Sequence, residues 1–103
     1  MYARLVSFTG VEPEKREPAV EKMKTTVIPM LQTYDGFAGY ISLYDDDNSR
    51  AKAIILWSSR ETADAAEETL AERRKGMTAQ VGITIESVDL YEAPIVELEG
   101  AKV

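Results

Sequence analysis

The segment "AKAIILWS" (Ala51–Ser58) limits this chain's options more than any other. Read as a strand, its alternation sends Ala53, Ile55 and Trp57 to one side and Ile54 and Leu56 to the other. Both faces are therefore apolar. A second segment, "FAGYISLY" (Phe37–Tyr44), behaves similarly, with Phe37, Ile41 and Leu43 opposing Tyr40 and Tyr44. A sheet built from such strands needs cover on both sides, because a contiguous apolar face left in water drives association. One helix layer covers one face, and a second copy of the sheet would cover the other.

The remaining segments supply that helix layer. "YARLVSF" (Tyr2–Phe8) is β-rich and runs into Thr9-Gly10, a strand ending. From Pro18 to about Tyr34, apolar residues Val20, Met23, Val27, Met30, Leu31 and Tyr34 recur at spacings of three and four, which is one helical face. Pro29 lies inside that pattern and should kink the helix or end its regular part near Ile28. Gly36 is placed to close it. "DDDNSR" separates the two central strands with turn-forming residues, so a hairpin is the economical reading. Ser59, or alternatively Thr62, can cap a helix over Arg60–Lys75 that ends at Gly76, its apolar face reduced to Ala63, Ala66 and Leu70, with Met77 beyond. Ile83–Glu92 forms a last strand, followed by an apolar coda (Ile95, Val96, Leu98) and a polar end. The order is β-α-β-β-α-β, the ferredoxin-like arrangement, with four antiparallel strands under two helices. Residues 1–103 are expected to form one domain, with residues 93–103 as an arm or tail that could reach a partner copy.

Composition removes several chemistries. The chain has no cysteine, so thiolate nucleophiles and zinc–thiolate sites are excluded. It has no histidine, so the commonest general base and haem ligand is missing as well. A net charge of −6 argues against a nucleic-acid binder. An RNA-recognition motif shares the element order, but the third strand lacks its basic–glycine–aromatic run. "DDDN" lacks the glycine and distal glutamate of a calcium loop and reads as a solvated hairpin tip, so no metal site is expected. With no membrane-length apolar run and no signal-peptide pattern, a cytoplasmic location is expected.

"RLVSF", "VIPMLQTYDGFAGY", "ILWSSRETADAA" and "SVDLYEA" together resemble the antibiotic biosynthesis monooxygenase-like group of dimeric α+β barrel proteins, over roughly residues 2–92. The resemblance implies a homodimer joined through the sheet faces. The group it points to includes cofactor-independent oxygenases of phenolic, quinol or polycyclic aromatic molecules, haem-degrading enzymes, and many proteins with no assigned activity. The haem-degrading pattern maps onto Ser7, Trp57 and a position near Glu67; only the tryptophan is kept, and the missing histidine removes haem ligation of that kind. The cofactor-free pattern survives, because the substrate's own electron-rich anion can reduce oxygen when the protein binds it and excludes water.

That reading places a substrate between the sheet and the first helix. Trp57 and Ser7 are the candidate catalytic residues. Tyr34, Tyr40, Met23, Val27, Met30 and Arg60 are candidate substrate contacts, the methionines and Val27 forming an apolar wall. Arg4 or Arg60, if inward-facing, could stabilise a phenolate. No cofactor is implied. Trp57 has an equally simple reading as a core plug, and the methionines as core. A homodimeric module that binds a small ligand without turnover is the alternative function.

Overall fold

The computed structural model describes residues 1–100. Four strands, β1 (Tyr2–Thr9), β2 (Phe37–Asp45), β3 (Arg50–Trp57) and β4 (Thr84–Glu92), form one antiparallel sheet in the order β2-β3-β1-β4. Between β1 and β2 the chain forms α1 (Pro13–Lys22), a π-helical turn (Met23–Val27) and α2 (Ile28–Leu31). Helix α3 (Arg60–Val81) joins β3 to β4. This is the ferredoxin-like β-α-β-β-α-β fold expected from the sequence.

Register fixes the faces. Tyr2 pairs with Trp57, Arg4 with Ile55 and Val6 with Ala53, so these side chains share one side of the sheet. That side carries the helices: Val27, Leu31, Ala63, Ala66 and Leu70 pack with Ile55 and Trp57 into one buried cluster. Ala3–Leu56, Leu5–Ile54 and Ser7–Lys52 belong to the opposite side. The alternation read for β3 is therefore the one observed. In β2 a register shift between Phe37 and Gly39 adds a residue to the strand. It turns Phe37 to the helix side with Tyr40 and Tyr44, correcting the expectation that Phe37 lies with Ile41 and Leu43.

The first helix starts at Pro13, one of two prolines (with Pro18) that supply helix-start chemistry in "VEPEKREP": Pro13 in the first turn needs no amide donor and Glu14 beside it complements the helix dipole. Pro29 is accommodated by the π turn. The Ile28 amide bonds to the Met23 carbonyl five residues back, which inserts an extra residue just before the proline. At the other helix, Gly76 does not stop α3, which continues to Val81. The stop is Gly82 in the left-handed conformation (φ +69°), with the Ile83 amide bonded to the Thr78 carbonyl at 3.0 Å. At the α3 start the Ser59 hydroxyl accepts from the Thr62 amide at 3.2 Å, and the Thr62 hydroxyl accepts from the Ser59 amide at 3.3 Å. This is the expected cap made reciprocal.

The β2–β3 hairpin turns through a short 3₁₀ segment (Asp46–Asn48) and Ser49 at φ +50°. The Asp45 carboxylate accepts from Asn48 Nδ2 (2.9 Å) and Arg50 Nε (2.8 Å), bonds that hold it below the ordinary carboxylate range. Among the described residues no helix is long and apolar enough to cross a membrane. The expected arm over residues 93–103 lies partly outside the described residues. The part described leaves Ile95 and Leu98 exposed.

Candidate functional site

Small side chains on the sheet and a long, divided first helix leave space between the layers. Ala51 and Ala53 of β3 supply a low floor, and Phe8, Tyr40 and Tyr44 rise around it. α1 forms one wall with Lys15, Pro18, Ala19 and Lys22, and the last turns of α3 form the other with Met77, Thr78 and Val81. They enclose a cavity of about 440 Å³, within the roughly 300–1,000 Å³ range of small-molecule sites. A narrower extension of about 100 Å³ runs under the π turn and α2, lined by Met23, Val27, Met30, Leu31, Leu70, Arg73 and Arg74. Phe8, Met23, Tyr40, Ala53, Met77 and Thr78 border both spaces, so the two form one elongated cleft.

Of the residues singled out from sequence, the cleft brings together Met23, Val27, Met30 and Tyr40. The other four lie elsewhere. Trp57 is on the helix side of the sheet but is only 1% exposed, and it is not among the described residues that line the cleft. Its indole meets Tyr34 and Phe37 edge to face, with centroids 6.3 and 5.9 Å apart. Tyr34 also bonds through its hydroxyl to Thr69 at 2.8 Å, tying the end of α2 to α3. Ser7 is on the opposite side of the sheet, where its hydroxyl accepts from Lys52 Nζ at 2.9 Å. Arg60 is exposed beside Asp64. Arg4 does face the helices, though it pairs with α3 and is not among the described residues that line the cleft.

Three carboxylate–guanidinium contacts organise the α3 wall. The Glu67 carboxylate accepts two bonds from Arg74, at 2.8 and 2.9 Å, with Arg74 itself nearly buried. Arg4, reaching up from β1, lies 3.7 Å from both Glu67 and Asp64, and its buried Nε has no hydrogen-bond acceptor among the described residues. Burial pushes the Glu67 carboxyl up, but the Arg74 hydrogen bonds and the Arg74 and Arg4 charges outweigh it and leave it below its ordinary range. Glu67 thus fixes Arg74, a guanidinium that borders the narrow end of the cleft. On the facing strand, burial raises Tyr40 above the ordinary phenol value despite opposing effects of Ser42 and Arg74. At neutral pH its hydroxyl is a proton-bearing donor inside the cleft.

The sequence reading missed Arg73, Arg74, Phe8 and the lysines. The signal for the arginines was present: continuing the α3 spacing from Leu70 past Gly76 leads through Arg73, Arg74 and Met77 to Val81. Both arginines lie inside the helix read over Arg60–Lys75, three and four residues after Leu70, and counting only the apolar residues of that face passed over them.

No family model and no curated protein matches this chain. Solved structures do. A Deinococcus radiodurans protein, provisionally described as an antibiotic biosynthesis monooxygenase, superposes with a TM-score of 0.70 at 11% identity, covering 97% of this chain and 100% of that one. The Streptomyces coelicolor monooxygenase ActVA-Orf6, solved with the ligand nanaomycin D, gives 0.69 at 15% identity, with 96% and 92% covered. A Nitrosomonas europaea protein of unknown function gives 0.62 at 13% identity, with 97% and 96% covered. The chain thus has the fold of antibiotic biosynthesis monooxygenases and related dimeric α+β barrel proteins. At these identities the likeness establishes the fold.

Proposed function

We propose that this protein binds a planar phenolic, quinol or polycyclic aromatic molecule in the cleft between sheet and helices and oxygenates it without a cofactor. The observation that carries the reading is the cleft itself: an apolar space of small-molecule size with a protonated phenol, Tyr40, on its floor and a fixed guanidinium, Arg74, at its narrow end. A related fold that holds nanaomycin D supports the ligand class.

The chemistry asks little of the protein. For an anthrone-type substrate, oxygen takes two electrons and two protons from the ring methylene and two more on breaking its own O–O bond. One oxygen atom becomes the new carbonyl and the other leaves as water. The reactive species is the substrate's anion, favoured by Arg73, a cation bordering the cleft with no carboxylate within 4.0 Å among the described residues. The Tyr40 hydroxyl is suited to donate a hydrogen bond to oxygen as charge builds there. Met23, Val27 and Met30 exclude water and hold the ring system. Trp57 and Ser7, the candidates from resemblance, support this only indirectly: Trp57 closes the core beyond the narrow end, and Ser7 belongs to the other face.

That other face supports a second copy of the chain as partner. Leu5, Ile41, Ile54 and Leu56 lie on it, with Leu43 and Tyr91 left 45% and 55% exposed. Sheet-to-sheet pairing would cover them, with the exposed Ile95 and Leu98 as an arm.

Oxygen uptake with anthrone- and quinol-type substrates tests the reaction. The wild type should consume oxygen, and Tyr40→Phe should lower kcat by about tenfold or more, the scale of losing one positioned donor. Binding without uptake would favour the ligand-binding module over the enzyme.

A further inference from the structure

The chain carries eighteen acidic and twelve basic residues, yet the helical walls of the cleft reverse that balance. They present Lys15, Lys22, Arg73 and Arg74 against one acid, Glu14. Arg74 is satisfied by Glu67. The other three have no carboxylate within 4.0 Å among the described residues. Among the described residues Lys15 bonds only to backbone carbonyls, Gly10 at 3.2 Å and Gly82 at 3.4 Å, which leave its charge uncompensated. Arg73 donates to the Met30 sulfur at 3.1 Å, a weak acceptor for a guanidinium that could take a bidentate oxyanion.

The position of these cations is as telling as their number. Met23 and Met77 border both parts of the cleft, at the seam between the two helical walls. Lys22 borders the wide part alone, whereas Arg73 borders the narrow part, its guanidinium beside Met30. An aromatic body over Ala53 would therefore have the unneutralised Arg73 at its edge, an exposed cation whose attraction for an anion is screened by salt.

We propose that the molecule taken into this cleft is an aromatic acid, its carboxylate held at the rim of the narrow part by Arg73 while its rings lie over Ala53. This rests on the cleft being the ligand site, as in the function proposed above, and adds the charged group that selects the substrate. Arg73 is the specificity-determining residue, because its planar fork matches a carboxylate in a way a lysine does not.

A matched pair of probes tests it: anthraquinone-2-carboxylate and anthraquinone-2-carboxamide, titrated calorimetrically at low and high salt. The carboxylate should bind about tenfold more tightly at low salt, with the advantage shrinking as salt rises. Arg73→Gln should weaken the carboxylate about threefold to tenfold and leave the carboxamide unchanged. Equal affinities for the two probes, with no salt dependence, overturn the acid preference while leaving the cleft as the ligand site. An equal loss for both probes in Arg73→Gln assigns Arg73 to packing and likewise contradicts the proposal. Binding of neither probe overturns both the acid preference and the aromatic-ligand reading. Should Arg73→Gln fold poorly, the probe and salt comparison on the wild type decides alone.

Discussion

Single residues show how differently two aromatic side chains of one small core can be used. Trp57 and Tyr40 both face the helices, yet the first is sealed among Tyr34, Phe37 and the α3 alanines while the second borders open space. Trp57→Ala should accordingly destabilise the fold by about 3–5 kcal/mol in chemical denaturation, the range for deleting a buried aromatic. Gly36 is constrained as tightly. It sits at φ +79°, and a Cβ there would fall onto the Thr62 side chain that caps α3. Gly36→Ala should therefore lose both backbone ease and the cap, about 2 kcal/mol or more by thermal melting. Glu67 adds a pH dependence. Its folded-state pKa lies below its ordinary 4.5, so its contribution is present above that value and is lost as pH falls through the depressed one. Glu67→Gln should flatten the acid limb of a stability–pH profile, and an unchanged limb would remove Glu67 from the account.

Among the elements, what could be read in the sequence depended on whether the signal was local. All four strands and both helices follow from periodicity and turn chemistry, and Ser59 declares its cap through residue type alone. The boundaries did not follow. Gly76 reads as a stop because glycine commonly ends helices, but packing of Met77 against the core carries α3 on to Gly82. Nothing lies within 4 Å of a Cβ built at Gly76, so Gly76→Ala should raise stability by about 0.5–1 kcal/mol, measured as a higher denaturation midpoint. The bulge in β2 and the π turn were likewise hidden, since each depends on register or on how a neighbouring element accommodates the chain. The candidate site was half legible for the same reason. Met23, Val27 and Met30 came from helical spacing; Glu67 and Arg74, seven apart on α3, share a face by the same spacing, but that Arg74 borders the cleft depends on how α3 packs on the sheet.

At the scale of the molecule, one sheet separates two tasks. Its helix side encloses the cleft, and its other side leaves Leu43 and Tyr91 exposed, the face proposed to meet a partner copy. Sedimentation should find a dimer at micromolar concentration, and Leu43→Asp should shift it toward monomer, since a charge is costly inside an apolar interface. The claim on which the functional account depends is that the cleft between α1, α3 and the sheet is where the aromatic ligand goes. Ala19, half-buried on the α1 wall, allows it to be filled without touching the strands or the charged network. Calorimetric titration of an anthraquinone probe into wild type and Ala19→Trp should show binding to the first and at least a tenfold loss in the second, at similar melting temperatures. Equal affinity in a well-folded Ala19→Trp would place the ligand elsewhere and contradict the account.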